Sequence, residues 1–185
     1  GFAGGIMATW NSRGLRGSTF ENLINETNSY YRDHNLALVQ KIPTPITPLE
    51  FHSEKKMITK AFFEKDSTVD YIGVVQGVPV CFDAKECSTD TFSMQNIHEH
   101  QYRFMADFEK QGGVAFLLIM FTERNDYYYL RFSELKTYVD RMAQGHPKNF
   151  KYLELEDDYF LKPANGVFVP YLEGLARDLD EREDE

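Results

Sequence analysis

The chain is poor in cysteine, in long apolar runs and in basic charge, and each shortage excludes a class of protein. Its 185 residues include two cysteines, Cys81 and Cys87, which excludes a disulfide framework and favours reduced, buried thiols. The longest apolar run, VAFLLIMF at 114–121, is far shorter than the roughly 20 residues that span a bilayer. We therefore expect a cytoplasmic protein that does not enter a membrane.

The charge is acidic overall and unevenly distributed. A net charge of −9 argues against a nonspecific nucleic-acid binder, because phosphate contacts need Lys and Arg. Residues 1–65 nevertheless carry eight bases and six acids, whereas residues 173–185 carry two bases and seven acids. We interpret 173–185 as an acidic tail, either a solvated helix end or disordered. The length indicates one domain over residues 1–185.

The first third of the chain predicts a helix, a strand and an excursion. Ser18 and Glu21 have the spacing of a capping box, and the apolar periodicity that follows predicts a helix over 19–34. A strand is expected over 36–42. The prolines of PTPITP cannot join a central sheet, so we expect residues 43–65 to leave the sheet as a projecting arm or loop.

The remaining elements complete an α/β pattern. Ser93 is a good N-cap and Gly112 a good stop, which predicts a second helix between them. Strands at 114–121 and 127–132 form a predicted hairpin. Further helices are expected from Ser133 to about residue 142 and over 171–182, and the order of elements favours a sheet with helices packed on it.

Residues 70–86, DYIGVVQGVPVCFDAKE, predict a β-hairpin that brings two acids together. With Gln76 and Gly77 as the turn, Asp70 lies opposite Asp83, with Cβ atoms roughly 4.5–5.5 Å apart. Like charges at that separation repel unless a cation neutralises them, and carboxylates suit Mg²⁺. Strand alternation places Lys85 on the face of Asp83, an arrangement suited to phosphodiester hydrolysis.

Each of these residues also has a purely structural interpretation. Asp70 is then a residue at the start of a strand, and Asp83 and Lys85 form a surface ion pair. Gln101 lies inside the apolar stripe of the second helix, where an unpaired amide costs roughly 1–3 kcal/mol, so it either reaches the carboxylates or bonds to backbone in the core. Glu21 either completes the helix cap or adds a carboxylate to the site.

Longer segments resemble the RecU family of Holliday-junction resolvases from Gram-positive bacteria. The resemblance covers about residues 13–135. It rests on RGLRGSTFENLINETNSYY (13–31), KIPTP (41–45), ITKAFFEKDSTVDYIGVVQG (58–77), FDAKE (82–86), TFSMQNIHEHQYRFM (91–105) and QGGVAFLLI (111–119). Asp70 and the Asp83-Ala84-Lys85 triplet match the acid and (D/E)xK signature of restriction-endonuclease-like nucleases. The second acid is usually Glu in that family and is Asp83 here.

The resemblance implies an α/β fold of the restriction-endonuclease-like kind, with a mixed central sheet flanked by helices and a stalk over residues 46–65. It implies a homodimer with two sites dependent on Mg²⁺ or Mn²⁺, which cuts four-way DNA junctions in recombination and repair. Position by position, it assigns metal binding to Asp70, Asp83 and Glu21, and catalysis to Asp70, Asp83, Lys85 and Gln101.

DNA contacts are expected from Lys55, Lys56 and Lys60 in the arm, and from Arg13 and Arg16 in the basic first third. Two other functions remain open. One is a nuclease of the same fold that acts on other branched or linear DNA, and the other is a non-catalytic DNA-binding relative.

Overall fold

The computed structural model describes residues 19–44, 46–63 and 68–185. In these ranges the chain forms four α-helices: α1 Phe20–Asp33, α2 Glu99–Lys110, α3 Phe132–Ala143 and α4 Tyr171–Glu183. It also forms ten strands: β1 Leu38–Lys41, β2 Ile46–His52, β3 Met57–Phe63, β4 Tyr71–Val75, β5 Val78–Cys87, β6 Thr91–Ser93, β7 Val114–Phe121, β8 Asp126–Arg131, β9 Asn149–Lys151 and β10 Phe160–Leu161. None of the helices in this part of the chain has the length and apolar character needed to cross a membrane.

Six strands form the central sheet, in the order β1-β4-β5-β7-β8-β10. Strands β5 and β7 are parallel, and every other neighbouring pair is antiparallel. A parallel pair needs a crossover connection, and α2 lies in the connection between β5 and β7. The predicted α/β class, with a mixed central sheet and flanking helices, is therefore confirmed.

An aromatic layer covers one face of the sheet. The Phe82 and Phe116 rings of β5 and β7 stack 4.8 Å apart, and Tyr171 of α4 lies 5.0 Å from Phe82. Tyr31 of α1 meets Tyr171 edge-on at 5.1 Å, so α1 and α4 share this face. Because successive side chains on a strand alternate, Asp83 points to the opposite face, which α2 covers.

Helix α1 is capped one residue later than predicted. Thr19 is the N-cap, and its Oγ1 accepts a hydrogen bond from the Asn22 N–H at 3.2 Å. The capping box of Ser18 with Glu21 is therefore wrong for Glu21, whose side chain pairs instead with Lys41; Ser18 lies outside the described residues. Thr19 therefore marks the start of the helix, and Glu21 has no capping role.

The segment after β1 folds as a hairpin of its own. Strands β2 and β3 form a separate two-stranded antiparallel sheet, which replaces the loop-like arm with regular structure. Its register shifts next to Glu50. Five large apolar side chains are exposed on it: Ile46, Leu49, Phe51, Met57 and Ile58.

Helix α2 begins later than predicted. Ser93 caps only a 3₁₀ turn, Met94–Asn96, and the α-helix starts at Glu99. The physical reason lies in β6, where buried Phe92 pairs with Phe150 of β9 and stacks on its ring at 4.8 Å. That contact holds the chain extended at the position where the cap predicts a helix. The stop at Gly112 is confirmed, since Gly112 has φ +88° and the Gly113 N–H donates to the Phe108 carbonyl at 3.1 Å.

The acidic C-terminal segment forms the helix predicted over 171–182, but the helix packs against the fold, contrary to the predicted solvated or disordered tail. Asp178 of α4 is 3% exposed and accepts hydrogen bonds from the Tyr129 hydroxyl at 2.7 Å and from Arg182 Nε at 2.9 Å. Arg182 in turn donates two hydrogen bonds to Glu109 of α2. The charge run therefore includes a structural network that joins α4, α2 and the sheet. Both cysteines are buried, as predicted.

Candidate active site

The hairpin brings Asp70 and Asp83 together in the predicted register. Gln76 and Gly77 form the turn with positive φ, and the ladder runs from Val75 opposite Val78 to Tyr71 opposite Phe82. Beyond that last pair, hydrogen bonds from backbone N–H groups to the two carboxylates continue the pairing. The Asp70 N–H donates to Asp83 Oδ1 at 2.6 Å, and the Ala84 N–H donates to Asp70 Oδ2 at 3.1 Å.

Asp83 is an acid held in the interior. Its side chain is fully buried, and its Oδ2 has no hydrogen-bond partner among the described residues. Burial, followed by the neighbouring charge of Asp70, raises the pKa of Asp83 well above its usual range, while the Lys85 ammonium acts in the opposite direction. Two ionised carboxylates this close repel each other, and a cation between them would remove that cost.

Lys85 lies beside Asp83 on the face that α2 covers. Its Nζ is 4.0 Å from Asp83 Oδ2 and 3.5 Å from Gln101 Oε1, and its side chain is 19% exposed. The same Gln101 oxygen accepts a hydrogen bond from the His98 N–H at 3.2 Å. Gln101 therefore bonds to backbone at the start of α2 and also contacts Lys85, although not the carboxylates themselves.

A cavity of about 330 Å³ opens over this group. Asp70, Lys85 and Glu21 line it, so three of the predicted site residues face one space. Asp83 and Gln101 do not line it, although each contacts a residue that does. Glu21 is occupied by an ion pair with Lys41, the last residue of β1.

Lys41 and Glu86 also line the cavity, and the sequence analysis missed both. Alternation along β5 places Glu86 on the face opposite Lys85, which hides its role. Its Oε1 accepts a hydrogen bond from the Phe20 N–H at 3.2 Å and so ties the first turn of α1 to the strand of the (D/E)xK motif. The position of Lys41 at the end of β1, two residues before Pro43, is the signal that could have identified it.

The candidate DNA-binding residues are only partly described. Lys55 and Lys56 occupy the exposed turn between β2 and β3, and Lys60 is exposed on β3, so these three lie together on the hairpin and away from the central sheet. Arg13 and Arg16 lie outside the described residues.

The donor set fits a hard divalent cation. Asp83 Oδ2 is a buried carboxylate oxygen without a hydrogen-bond partner in the described part of the chain, and Asp70 adds a second carboxylate next to it. No group of three or more His, Cys, Asp or Glu side chains in the described ranges is arranged to hold a metal ion. A cation here would complete its ligands with water or phosphate oxygens, as Mg²⁺ typically does.

An α/β sheet that gathers two acids and a lysine around one cavity has the arrangement typical of metal-dependent nucleases. The chain belongs to the RecU family, described as Recombination protein U, whose family model matches residues 15–177. The resemblance seen in the sequence is therefore confirmed.

The chain is similar to two proteins named Holliday junction resolvase RecU from lactic acid bacteria. The Levilactobacillus brevis protein is 38% identical over 175 residues, which are 92% of this chain and 87% of the relative. The Pediococcus pentosaceus protein is 36% identical over 169 residues, with 89% and 84% covered. A solved structure of the Archaeoglobus fulgidus Holliday junction resolvase Hjc matches 60% of this chain and 77% of its own, with 6% identity and a TM-score of 0.37, a likeness too weak to support any argument.

Proposed function

We propose that this protein is a metal-dependent endonuclease that hydrolyses phosphodiester bonds at four-way DNA junctions in recombination and repair. The observation that carries the proposal is the placement of Asp70 and Lys85 on one open cavity, next to buried Asp83, whose Oδ2 has no hydrogen-bond partner among the described residues. Membership of a family whose relatives are named Holliday junction resolvases supports the choice of substrate.

Asp70 and Asp83 are the proposed metal ligands, with Glu21 as a third once it leaves Lys41. The bound ion, Mg²⁺ or Mn²⁺, would polarise a phosphate oxygen and lower the pKa of a bound water. The protein's own contribution is rigidity. Backbone N–H groups hold both aspartates in place, so these two carboxylates are already positioned when the phosphate arrives.

Lys85 is the proposed cationic partner of the reacting phosphate. Gln101 Oε1 and Asp83 Oδ2 flank its ammonium and leave further N–H groups to donate to a phosphate oxygen or to the attacking water. An ammonium there stabilises the negative charge that develops on the phosphate. Gln101 acts through Lys85 and is a positioning residue.

The substrate and assembly follow from the same proposal. A four-way junction presents two equivalent strands for cutting, and a two-fold homodimer carries two equivalent sites. The exposed lysines 55, 56 and 60 of the β2–β3 hairpin supply phosphate contacts away from the sites. The proposed location is the cytoplasm, where the junctions are.

Cleavage of a synthetic four-way junction and of linear duplexes with the same sequence, in Mg²⁺ and in Mn²⁺, tests the proposal. Asp70→Asn should abolish cutting and retain binding, and Asp107→Asn, an exposed acid on α2, should cut like the parent. Cutting of all duplexes alike would indicate a general nuclease of the same fold. Junction binding without cutting by the parent in either metal would indicate a non-catalytic relative and overturn the proposal.

A further inference from the structure

A second cavity lies directly beside the nuclease cavity. It has a volume of about 340 Å³ and is formed between α1 and β1. Lys41 lines both cavities, so the two are neighbours along one path. Helix α1 begins at the nuclease cavity with Glu21 and contributes Asn25, Ser29 and Arg32 to the second cavity.

The second cavity is cationic and rich in polar groups in a chain of net charge −9. Arg32 supplies its charge together with Lys41, whose ammonium also pairs with Glu21 of the nuclease cavity, and of the described residues that line it none is acidic. The carboxylate paired with Arg32 is that of Asp33, 3.9 Å away, and both side chains are about two-thirds exposed. An ion pair this exposed contributes little and does not cancel the charge of Arg32.

Two asparagines of α1 are oriented by tyrosines from the core. The Tyr71 hydroxyl donates to Asn25 Oδ1 at 3.3 Å, and the Tyr171 hydroxyl donates to Asn28 Oδ1. Each amide therefore has its oxygen engaged on the core side. No hydrogen bond among the described residues engages the two NH₂ groups, which remain as donors for a ligand that offers acceptors.

Cations and amide donors without carboxylates are the groups that bind phosphate oxygens. We propose that the groove between α1 and β1 binds the phosphodiester backbone of the strand next to the cut, and so continues the nuclease cavity along the DNA. This inference rests on the proposed function. It adds Arg32, Asn25 and Ser29 as residues that position the strand, none of which the sequence analysis singled out.

The length of the groove sets how far the contact extends. Arg32 follows Glu21 by about three turns of α1, which is about 16 Å along the helix axis. At about 3.4 Å per nucleotide of one strand, Arg32 contacts phosphates up to about five nucleotides from the scissile bond. The contact is made to backbone and carries no sequence preference.

The first test measures the salt dependence of junction binding without divalent ions, so that no cutting occurs. Arg32→Gln should weaken binding about fivefold to tenfold at 0.1 M salt and should lower the salt slope by about one. Ser29→Asp should weaken it further. The matched control is Arg103→Gln, an exposed arginine on α2 that pairs with Glu99 and lines neither cavity; it should bind like the parent.

A salt slope of junction binding for Arg32→Gln equal to that of the parent would overturn the proposed role of the groove while leaving the nuclease proposal intact. Failure of the parent to bind any junction would instead overturn the proposed function. Unchanged thermal melting of Arg32→Gln establishes that a loss of binding is not a loss of fold.

The second test locates the contact. Neutral methylphosphonate linkages are placed singly at each position up to six nucleotides either side of the mapped cut. Within about five nucleotides on one side of the cut, such a linkage should weaken junction binding by the parent. It should not weaken binding by Arg32→Gln, because that variant already lacks the contact. Equal weakening of both proteins at every position would overturn the assignment of Arg32 to this strand.

Discussion

Asp70 and Asp83 each accept a hydrogen bond from backbone of the facing strand, Asp83 Oδ1 from the Asp70 N–H at 2.6 Å and Asp70 Oδ2 from the Ala84 N–H at 3.1 Å. The carboxylates thereby extend the β4–β5 ladder past its last backbone pair, Tyr71 with Phe82. The arrangement is rigid without any ligand. Its cost is the repulsion that, together with burial, raises the pKa of Asp83.

Asp70→Asn should stabilise the metal-free protein. The amide oxygen can still accept from Ala84, but the charge that opposes ionisation of Asp83 is gone. We expect a gain of about 1 kcal/mol at neutral pH, or about 2–4 °C in Tm. Thermal melting in EDTA measures it, with Asp107→Asn as the control that should not change Tm.

The same substitution should change the pH dependence of stability. A carboxyl whose folded pKa is raised contributes stability below its unfolded pKa of about 4, and this contribution is lost as the pH rises through the raised value. The parent should therefore lose stability as the pH rises from about 4 to the raised pKa of Asp83, and Asp70→Asn should lose less over the same range. Parallel curves for the two proteins would contradict the assigned cause.

Gln101 should show separable roles in stability and in cutting. Gln101→Ala removes the acceptor for the His98 N–H and should cost about 1 kcal/mol of stability together with about tenfold in cutting rate. Gln101→Glu keeps an acceptor at the start of α2, so Tm should match the parent, while a new charge beside Lys85 changes the rate. Melting and single-turnover cleavage measure the two effects. Equal rates for Gln101→Glu and the parent would exclude a role through Lys85.

Gly73→Ala should damage the sheet edge that carries Lys41. A Cβ at Gly73 would overlap the carbonyl oxygen of Leu38 on β1, and neither backbone can move without breaking the β1–β4 ladder. We expect a loss of about 3 kcal/mol, or about 6–12 °C in Tm. Gly77→Asn is the comparison: its Cβ meets open space, so only the positive φ of +85° strains it, and it should cost less than Gly73→Ala.

Asp178→Ala tests whether the acidic C-terminal run is structural. Removing this buried carboxylate leaves the Tyr129 hydroxyl without its partner and leaves Arg182 paired with Glu109 alone. The expected loss is about 2–4 kcal/mol, whereas Asp180→Ala, an exposed acid on the same helix, should be nearly neutral. Urea unfolding of both variants compares them directly, and similar midpoints would restore the view of this segment as a solvated tail.

The hairpin lysines should contribute charge without contributing chemistry. Reversal of Lys55, Lys56 and Lys60 to Glu should weaken junction binding and lower the salt slope by about three. The single-turnover rate at saturating protein should stay within about threefold of the parent. Filter binding across a salt series and cleavage at saturation separate the two, and an unchanged slope would remove the lysines from the interface.

The sequence predicts the hairpin well because its signals are local. A turn at Gln76 and Gly77 flanked by apolar residues fixes the register, and register alone brings Asp70 opposite Asp83. The same logic locates the glycine stop of α2. Each of these signals lies within a few residues of the feature that it specifies, so no knowledge of the tertiary structure is required.

Features that depend on distant contacts were missed or misplaced. Glu86 accepts a hydrogen bond from the Phe20 N–H, 66 positions away. Alternation along β5 places its side chain on the face opposite Lys85, so the strand pattern does not indicate that both residues line one cavity. The start of α2 depends on Phe92 meeting Phe150, which overrides a good cap at Ser93. The packing of α4 likewise depends on Asp178 finding Tyr129, and an acidic composition gives no sign of it.

The β2–β3 hairpin is a two-stranded sheet separate from the central sheet. A proline-containing connection after β1 joins it to the nuclease core. Selection can therefore alter its length, charge or apolar surface while the strands that hold the acids keep their spacing. The DNA contacts proposed for this hairpin and the proposed cutting reaction are in this way free to diverge independently within one short chain.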